Sequence, residues 1–295
     1  MSSDDYRSGL VALAGRPNVG KSTIANALAG VHVAAVSSRP QTTRRRVRAI
    51  VHGEDWQAVL IDMPGFQKPA DALTRRMQDT VDGTLDDCDV AIFVLNAREP
   101  IGGGDRFIAE RLIAAKLPVV LVINKVDAVG RDEIARTIAE ASQLVPFVEL
   151  HPVSATTGAG LDALRETIGR TLPPGPRYFP EGVVTDQTDD EIAAELIREA
   201  ALQRVRDEVP HSLAVQVESI EPVSVGRIVR AAIYVESESQ KGILVGKGGR
   251  MIRSIGEAAR HTLTRVLGEP VHTDLMVKVR RRWRKDDAML DRLGL

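Results

Sequence analysis

The sequence predicts two domains in tandem: an α/β domain on a mostly parallel sheet, then a smaller α+β domain. Three observations carry this. Up to about residue 170, short apolar runs alternate with helical patterns. A proline cluster interrupts the alternation. Beyond it the elements read helix, strand, strand, helix, glycine loop, helix, strand. At 295 residues the chain is also long for one core, on a prior of about 100–200 residues per domain.

The apolar runs at 10–14, 58–61, 90–95 and 119–123 are near-continuous, as strands buried on both faces of a parallel sheet should be. The run at 147–150 reads as a further strand of the same kind. Helical patterns fall near 104–116, 131–144 and 161–170, so helices cover both faces of the sheet. Pro173-Pro174-Gly175-Pro176, with Pro180 and Gly182, ends the last helix and cannot continue a strand. We therefore expect domains at 1–172 and 183–295 joined by a linker at 173–182. In the second domain, a helix near 190–208 precedes strands near 213–220 and 226–236. A short helix, a glycine loop at 246–249, a helix to about 267 and a strand from 271 follow.

Composition is that of an ordinary globular protein, with 43% hydrophobic and 27% charged residues and a net charge of −1. The charge is unevenly distributed. From Lys241 to Lys285 twelve Lys/Arg face three Asp/Glu, an excess of nine positive charges suited to an anionic polymer. A single cysteine, Cys88, rules out an intramolecular disulfide, and the six histidines have no metal-binding spacing. The polar start and the lack of an apolar run near ~18 residues predict a cytoplasmic protein.

The chemistry begins at Gly15-Arg16-Pro17-Asn18-Val19-Gly20-Lys21-Ser22, which fits G-x-x-x-x-G-K-S/T between a strand and a helix. Glycines let backbone N–H groups wrap phosphate oxygens at a helix N-terminus, Lys21 adds a cation, and the Ser22 hydroxyl can ligate Mg²⁺. Asp62-Met63-Pro64-Gly65 closes the strand at 58–61, where a metal-organising carboxylate belongs, and Gly65 admits its N–H to a γ-phosphate. Gln41-Thr42-Thr43-Arg44 lies between them. One of the two threonines, Thr42 or Thr43, should offer its hydroxyl to the metal.

Asn124-Lys125-Val126-Asp127 closes the strand at 119–123 and selects the base. Asp127 can accept from the N1–H and 2-amino group of guanine, a pair that adenine lacks, and Asn124 can meet the base edge. Ser154-Ala155-Thr156 places a backbone N–H where it could meet the guanine oxygen. In this order the motifs form the signature of a P-loop GTPase domain. In the second domain, Gly246-Lys247-Gly248-Gly249 between two helices resembles the loop with which KH modules clamp about four nucleotides. Lys247, Arg250 and Arg253 supply cations. Within 280–285, Arg281 offers a phosphate contact and Trp283 a stacking platform.

The sequence of GRPNVGKS, QTTR, DMPG, NKVD and SAT, then Tyr178-Phe179-Pro180 and the 243–249 loop, resembles the bacterial Era GTPases along nearly the whole chain. The resemblance implies a GTPase domain followed by a type II KH domain. It places 15–22, 62–66 and 124–127 on GTP, and 246–249 on an RNA backbone. It further implies 16S rRNA near its 3′ end in small-subunit maturation, peripheral contact with the inner membrane face, no DNA, and a monomer. Met63 replaces the family's usual threonine, and Thr156 its leucine or lysine.

Phe66 occupies the place where Ras-like GTPases carry the water-orienting glutamine, and a phenyl ring cannot orient water. Slow intrinsic hydrolysis is therefore expected. Asn18 resembles the asparagine that ligates K⁺ in related GTPases. A competing reading is a membrane-associated regulatory GTPase whose RNA contact serves no ribosome assembly.

Overall fold

The computed structural model describes residues 6–37, 42–66, 69–205 and 209–295. Gln41 of the threonine motif lies outside them. The chain divides into two compact units, one of residues 1–32, 43–68 and 77–186, the other of 33–42, 69–76 and 187–295.

The first unit is a six-stranded sheet. Its strands are β1 (Arg7–Ala14), β2 (Val47–His52), β3 (Trp56–Asp62), β4 (Val90–Asn96), β5 (Val119–Asn124) and β6 (Glu149–Pro152), in the order β2-β3-β1-β4-β5-β6. All neighbours are parallel except β2, which pairs antiparallel to β3 at the edge. Its helices are α1 (Lys21–Ala29), α2 (Ala72–Asp86, counted here from Met77 on), α3 (Gly103–Ala115), α4 (Arg131–Ala141) and α5 (Leu161–Thr171). Alternate strand residues serve opposite faces. Ala12, Ala14, Phe93, Leu95, Leu121 and Ile123 pack with Val81 and Leu85 of α2 and Ile108 and Leu112 of α3, whereas α1 and α5 pack together and against β3.

In the first unit two of these strands and helices were not anticipated, and one is displaced. β2 is a short edge strand, and the buried apolar residues of α2 are Leu73, Met77, Val81 and Leu85, every fourth position of a polar helix. β6 lies two residues later than expected, because Phe147 and Val148 are exposed at 37% and 52%.

The proline-rich segment expected as a linker is tied to the first unit. Ser8 N–H donates to Pro173 O (3.1 Å), Gln57 side-chain oxygen accepts from the Tyr178 and Phe179 amides, and Ile50 N–H donates to Val184 O (2.9 Å). The compact units accordingly divide between residues 186 and 187.

In the second unit, β7 (Ala214–Pro222), β8 (Arg227–Val235) and β9 (Val271–Val279) form a sheet with β8 central, antiparallel to β7 and parallel to β9. The helices are α6 (Asp189–Leu202), the single turn α7 (Val209–Ser212), α8 (Glu238–Val245), α9 (Arg250–Leu267) and α10 (Asp287–Arg292). Every second residue of β8 (Val229, Ala231, Ile233, Val235) is buried under Leu196, Ile197 and Ala200 of α6 and Ile255, Ala259 and Leu263 of α9. Thr188 caps α6, accepting from Glu191 N–H while Glu191 reaches back to its amide. No helix among the described residues is long and apolar enough to cross a membrane.

Candidate functional site

The register of the first sheet assembles its site. Leu13 pairs with Asp62 and Asn96 with Asn124, so the phosphate loop, Asp62 and the 124–127 turn meet at the carboxyl ends of adjacent parallel strands. Order reverses at β1, where such sheets bind ligands. Gly20 sits at φ +103, and a Cβ there would fall 2.2 Å from Asn124 Nδ2. Gly65 also allows a close approach, since its Cβ would lie 2.9 Å from Pro17 N.

Lys21 is buried and donates its Nζ to the carbonyls of Gly15 and Arg16, both at 3.1 Å. Burial pushes its pKa down, against the pull of the Asp62 carboxylate. Arg16 points sideways: its Nε donates to buried Asp105 (2.9 Å), and its guanidinium pairs with Glu99 (3.0 Å). Val19 is fully buried behind the loop, and Asn18 takes a left-handed φ of +64.

Three oxygens converge beside Lys21. Ser22 Oγ donates to Asp62 Oδ2 (2.5 Å) and lies 3.0 Å from Thr43 Oγ1, which itself donates to Asp62 Oδ2 (3.1 Å). Two hydroxyls and one fully buried carboxylate are hard donors of the kind Mg²⁺ prefers. Of the two candidate threonines, only Thr43 joins this cluster. Thr42 turns its hydroxyl to Ser37 O (3.5 Å), and its carbonyl accepts from Arg198. Among the described residues no group of three or more His, Cys, Asp or Glu could hold a metal.

The 124–127 turn is tied to its neighbours through Asn124 and Lys125. Asn124 is buried, donates Nδ2 to Val19 O (2.9 Å) and accepts Ala155 N–H at Oδ1 (3.1 Å). Its side chain joins the two loops, using one N–H of Nδ2 and one lone pair of Oδ1. Lys125 likewise donates Nζ to Asn18 O (2.6 Å), and burial lowers its pKa. Val126 N–H donates to Val153 O (3.2 Å). Asp127 is left exposed, with no hydrogen bond among the described residues. Ser154 is buried, donating its N–H to Ala159 O and accepting Thr157 N–H at Oγ.

Beyond Asp62, Met63 is fully buried and Pro64 leads into Gly65. Phe66 is 8% exposed and packs edge-on against Phe107 of α3 at 6.3 Å. It is a core residue and carries no group for water.

In the second unit, Gly246, Gly248 and Gly249 all take positive φ (+68, +62, +75), so the loop needs their freedom. Lys247, Arg250 and Arg281 are exposed, and Arg253 folds back to donate to Gly248 O (2.7 Å). Beside the loop, α9 and the free edge of β9 enclose a 360 Å³ groove lined in part by Ile252, Arg260, His272 and Leu275. The sequence reading missed it because its walls lie on separate elements. Trp283 is a correction: it is fully buried, and its indole N–H donates to Ser212 O (2.8 Å), so it cannot serve as a stacking platform.

A family model described as a 50S ribosome-binding GTPase matches residues 10–125, and a KH-domain model matches 208–284. Fold and site together define a P-loop GTPase carrying a KH domain. GTPase Era of Mycobacterium sp. (strain KMS) is 46% identical over 98% of this chain and 99% of its own, and that of Mycolicibacterium paratuberculosis is 47% identical over the same shares. The chain belongs to the Era family of GTPases. Two solved Era structures, each 36% identical, superpose with a TM-score of 0.93 over 98% of this chain and 99% of theirs. One is an Aquifex aeolicus variant bound to GDP·AlF4⁻. The other is Era in complex with MgGDPNP and nucleotides 1506–1542 of 16S ribosomal RNA.

Proposed function

We propose that this chain binds Mg²⁺–GTP at the phosphate loop, hydrolyses it slowly, and uses the nucleotide state to time RNA binding by its KH domain. The carrying observation is the Ser22–Thr43–Asp62 oxygen cluster beside Lys21. Mg²⁺, when bound, supplies charge neutralisation between phosphate oxygens. The chain does the rest. Asp127 selects guanine, Asn124 and Lys125 hold the phosphate loop in shape, and Lys21 faces the outer phosphates. Phe66 contributes packing only, so the attacking water takes its position from backbone, Thr43 or a partner. Binding of a GTP analogue with and without Mg²⁺ tests this. Thr43→Ala should lose the Mg²⁺ dependence while Thr42→Ala keeps it, and equal behaviour of the two would sink the assignment.

The RNA target we propose is the 3′ end of 16S rRNA, in small-subunit maturation. Support comes from the Era complex with that RNA, from the exposed Lys247 and Arg250, and from the adjoining groove. Gly246 to Gly249, with Arg253 steadying Gly248, would hold the backbone, and Arg281 would add a phosphate contact. The chain acts as a cytoplasmic monomer on this reading. Fractionation decides against the membrane-regulator alternative if the protein follows 30S particles. K⁺ at Asn18 is a further part of the proposal, and equal hydrolysis rates in K⁺ and Na⁺ would remove it.

A further inference from the structure

Gly103 and Gly104 stand in the first turn of α3, although glycine weakens a helix. Gly104 has a use. A Cβ on it would fall 2.9 Å from Arg16 Cδ, so the Arg16 stem lies on bare backbone. Beyond the stem, the guanidinium divides between two carboxylates. Its Nε donates to Asp105 Oδ1 (2.9 Å), and a terminal nitrogen pairs with Glu99 (3.0 Å). Asp105 is 1% exposed, and its other oxygen accepts the Gly102 N–H (2.9 Å). Glu99 in turn accepts from Asn96 at the end of β4 (2.5 Å). A carboxylate as buried as Asp105 needs a cation, and both acids are themselves held, so Arg16 is fixed from two sides.

Its main chain is equally constrained. The Arg16 carbonyl accepts from Lys21 Nζ (3.1 Å). The residue after it is a proline, which keeps Arg16 out of the helical region and sets its own φ. Pro17 lies against Gly65, where a Cβ would fall 2.9 Å from both Pro17 N and Pro17 Cγ. Rigid links therefore run from Asp105 through Arg16 and Pro17 to Gly65. All of these residues belong to the first compact unit.

We propose that Arg16 is a positioning residue for the phosphate loop: anchored to Asp105 and Glu99 across Gly104, it sets where Pro17 stands against Gly65 and where its own carbonyl meets Lys21, and so shapes the opening that receives the γ-phosphate. This rests on the Mg²⁺–GTP reading of the site. The side chain acts at one remove, through Pro17 and Lys21, so its loss should be felt by a triphosphate and not by a diphosphate.

The test uses the full chain and reads dissociation constants for a non-hydrolysable GTP analogue and for GDP, both in Mg²⁺. Gly104→Ala is the decisive variant. In an ordinary helix it would raise the melting temperature, whereas here its methyl should push Arg16 aside. Analogue affinity should fall by roughly 10- to 100-fold, the scale set by a misplacement of up to about 1 Å. GDP affinity should stay within about twofold, and the melting temperature of the nucleotide-free protein should not fall. Arg16→Lys keeps the charge but lacks the fork that reaches both carboxylates, and it should show the same selective loss. Combined with Asp105→Asn, it should add nothing beyond the larger single effect. Equal weakening of analogue and GDP, wild-type analogue binding by Gly104→Ala, or multiplied losses in the double variant would each overturn the proposal. Failure of the parent reading looks different: wild-type protein would then show no Mg²⁺-dependent binding of the analogue, and this proposal would go with it.

Discussion

Asn124 donates its side-chain amide to the carbonyl of Val19 at 2.9 Å, so the 124–127 turn is a buttress of the phosphate loop as well as the proposed base site. The two halves of the N-K-x-D motif consequently have different jobs, and mutation should separate them. Asp127→Asn replaces an acceptor by a donor at an exposed position. Guanine-nucleotide affinity should fall by about 100-fold or more, with the melting temperature unchanged. Asn124→Ala leaves Val19 O and Ala155 N–H unpaired and should cost about 1–3 kcal/mol of stability as well as affinity. Calorimetry and nucleotide titration on both variants read this directly. A melting loss confined to the Asp127 variant would reverse the assignment.

Gly20→Ala should be among the most damaging small substitutions in the first unit. The left-handed backbone already costs about 1–3 kcal/mol for a residue with a Cβ, and the new methyl would strike Asn124 Nδ2. Thermal unfolding should drop, and guanine nucleotide should no longer raise the melting temperature.

Phe66→Ala separates packing from catalysis. Deleting this buried ring should destabilise the chain by about 3 kcal/mol, yet kcat for GTP should stay within about threefold, because an apolar ring makes no contribution to be lost in the transition state. A tenfold fall in kcat at full folding would show that Phe66 positions the reaction. Unaided turnover at tens per second would contradict slow hydrolysis altogether.

Within the KH domain the cations and the tryptophan should part company. Lys247→Ala and Arg250→Ala should each weaken RNA binding and reduce its salt slope by about 0.7, as expected for a lost single-strand phosphate contact. Trp283→Phe should leave RNA affinity unchanged and reduce stability, because the indole N–H to Ser212 is lost. A loss of RNA affinity from Trp283→Phe at unchanged stability would restore a stacking role.

These predictions depend on features of unequal legibility. β1, β3, β4 and β5 were readable because burial on both faces leaves no polar positions to interrupt their apolar runs. The same rule hid β2, an edge strand interrupted by Arg48, and α2, which shows the core only one residue per turn. Glycines and charged motif residues were readable because backbone approach to phosphate demands particular residue types. What Asn124, Thr43 and Trp283 touch was not, because their partners lie 105, 21 and 71 residues away.

Nucleotide state should govern RNA binding by the intact chain. The direct measurement is the dissociation constant for a labelled 16S 3′-end RNA, taken with a GTP analogue plus Mg²⁺ and again with GDP. The account predicts tighter binding with the analogue by about 5–150-fold, and loss of that difference in Thr43→Ala. Equal affinity in the two nucleotide states, with RNA bound in both, would contradict it.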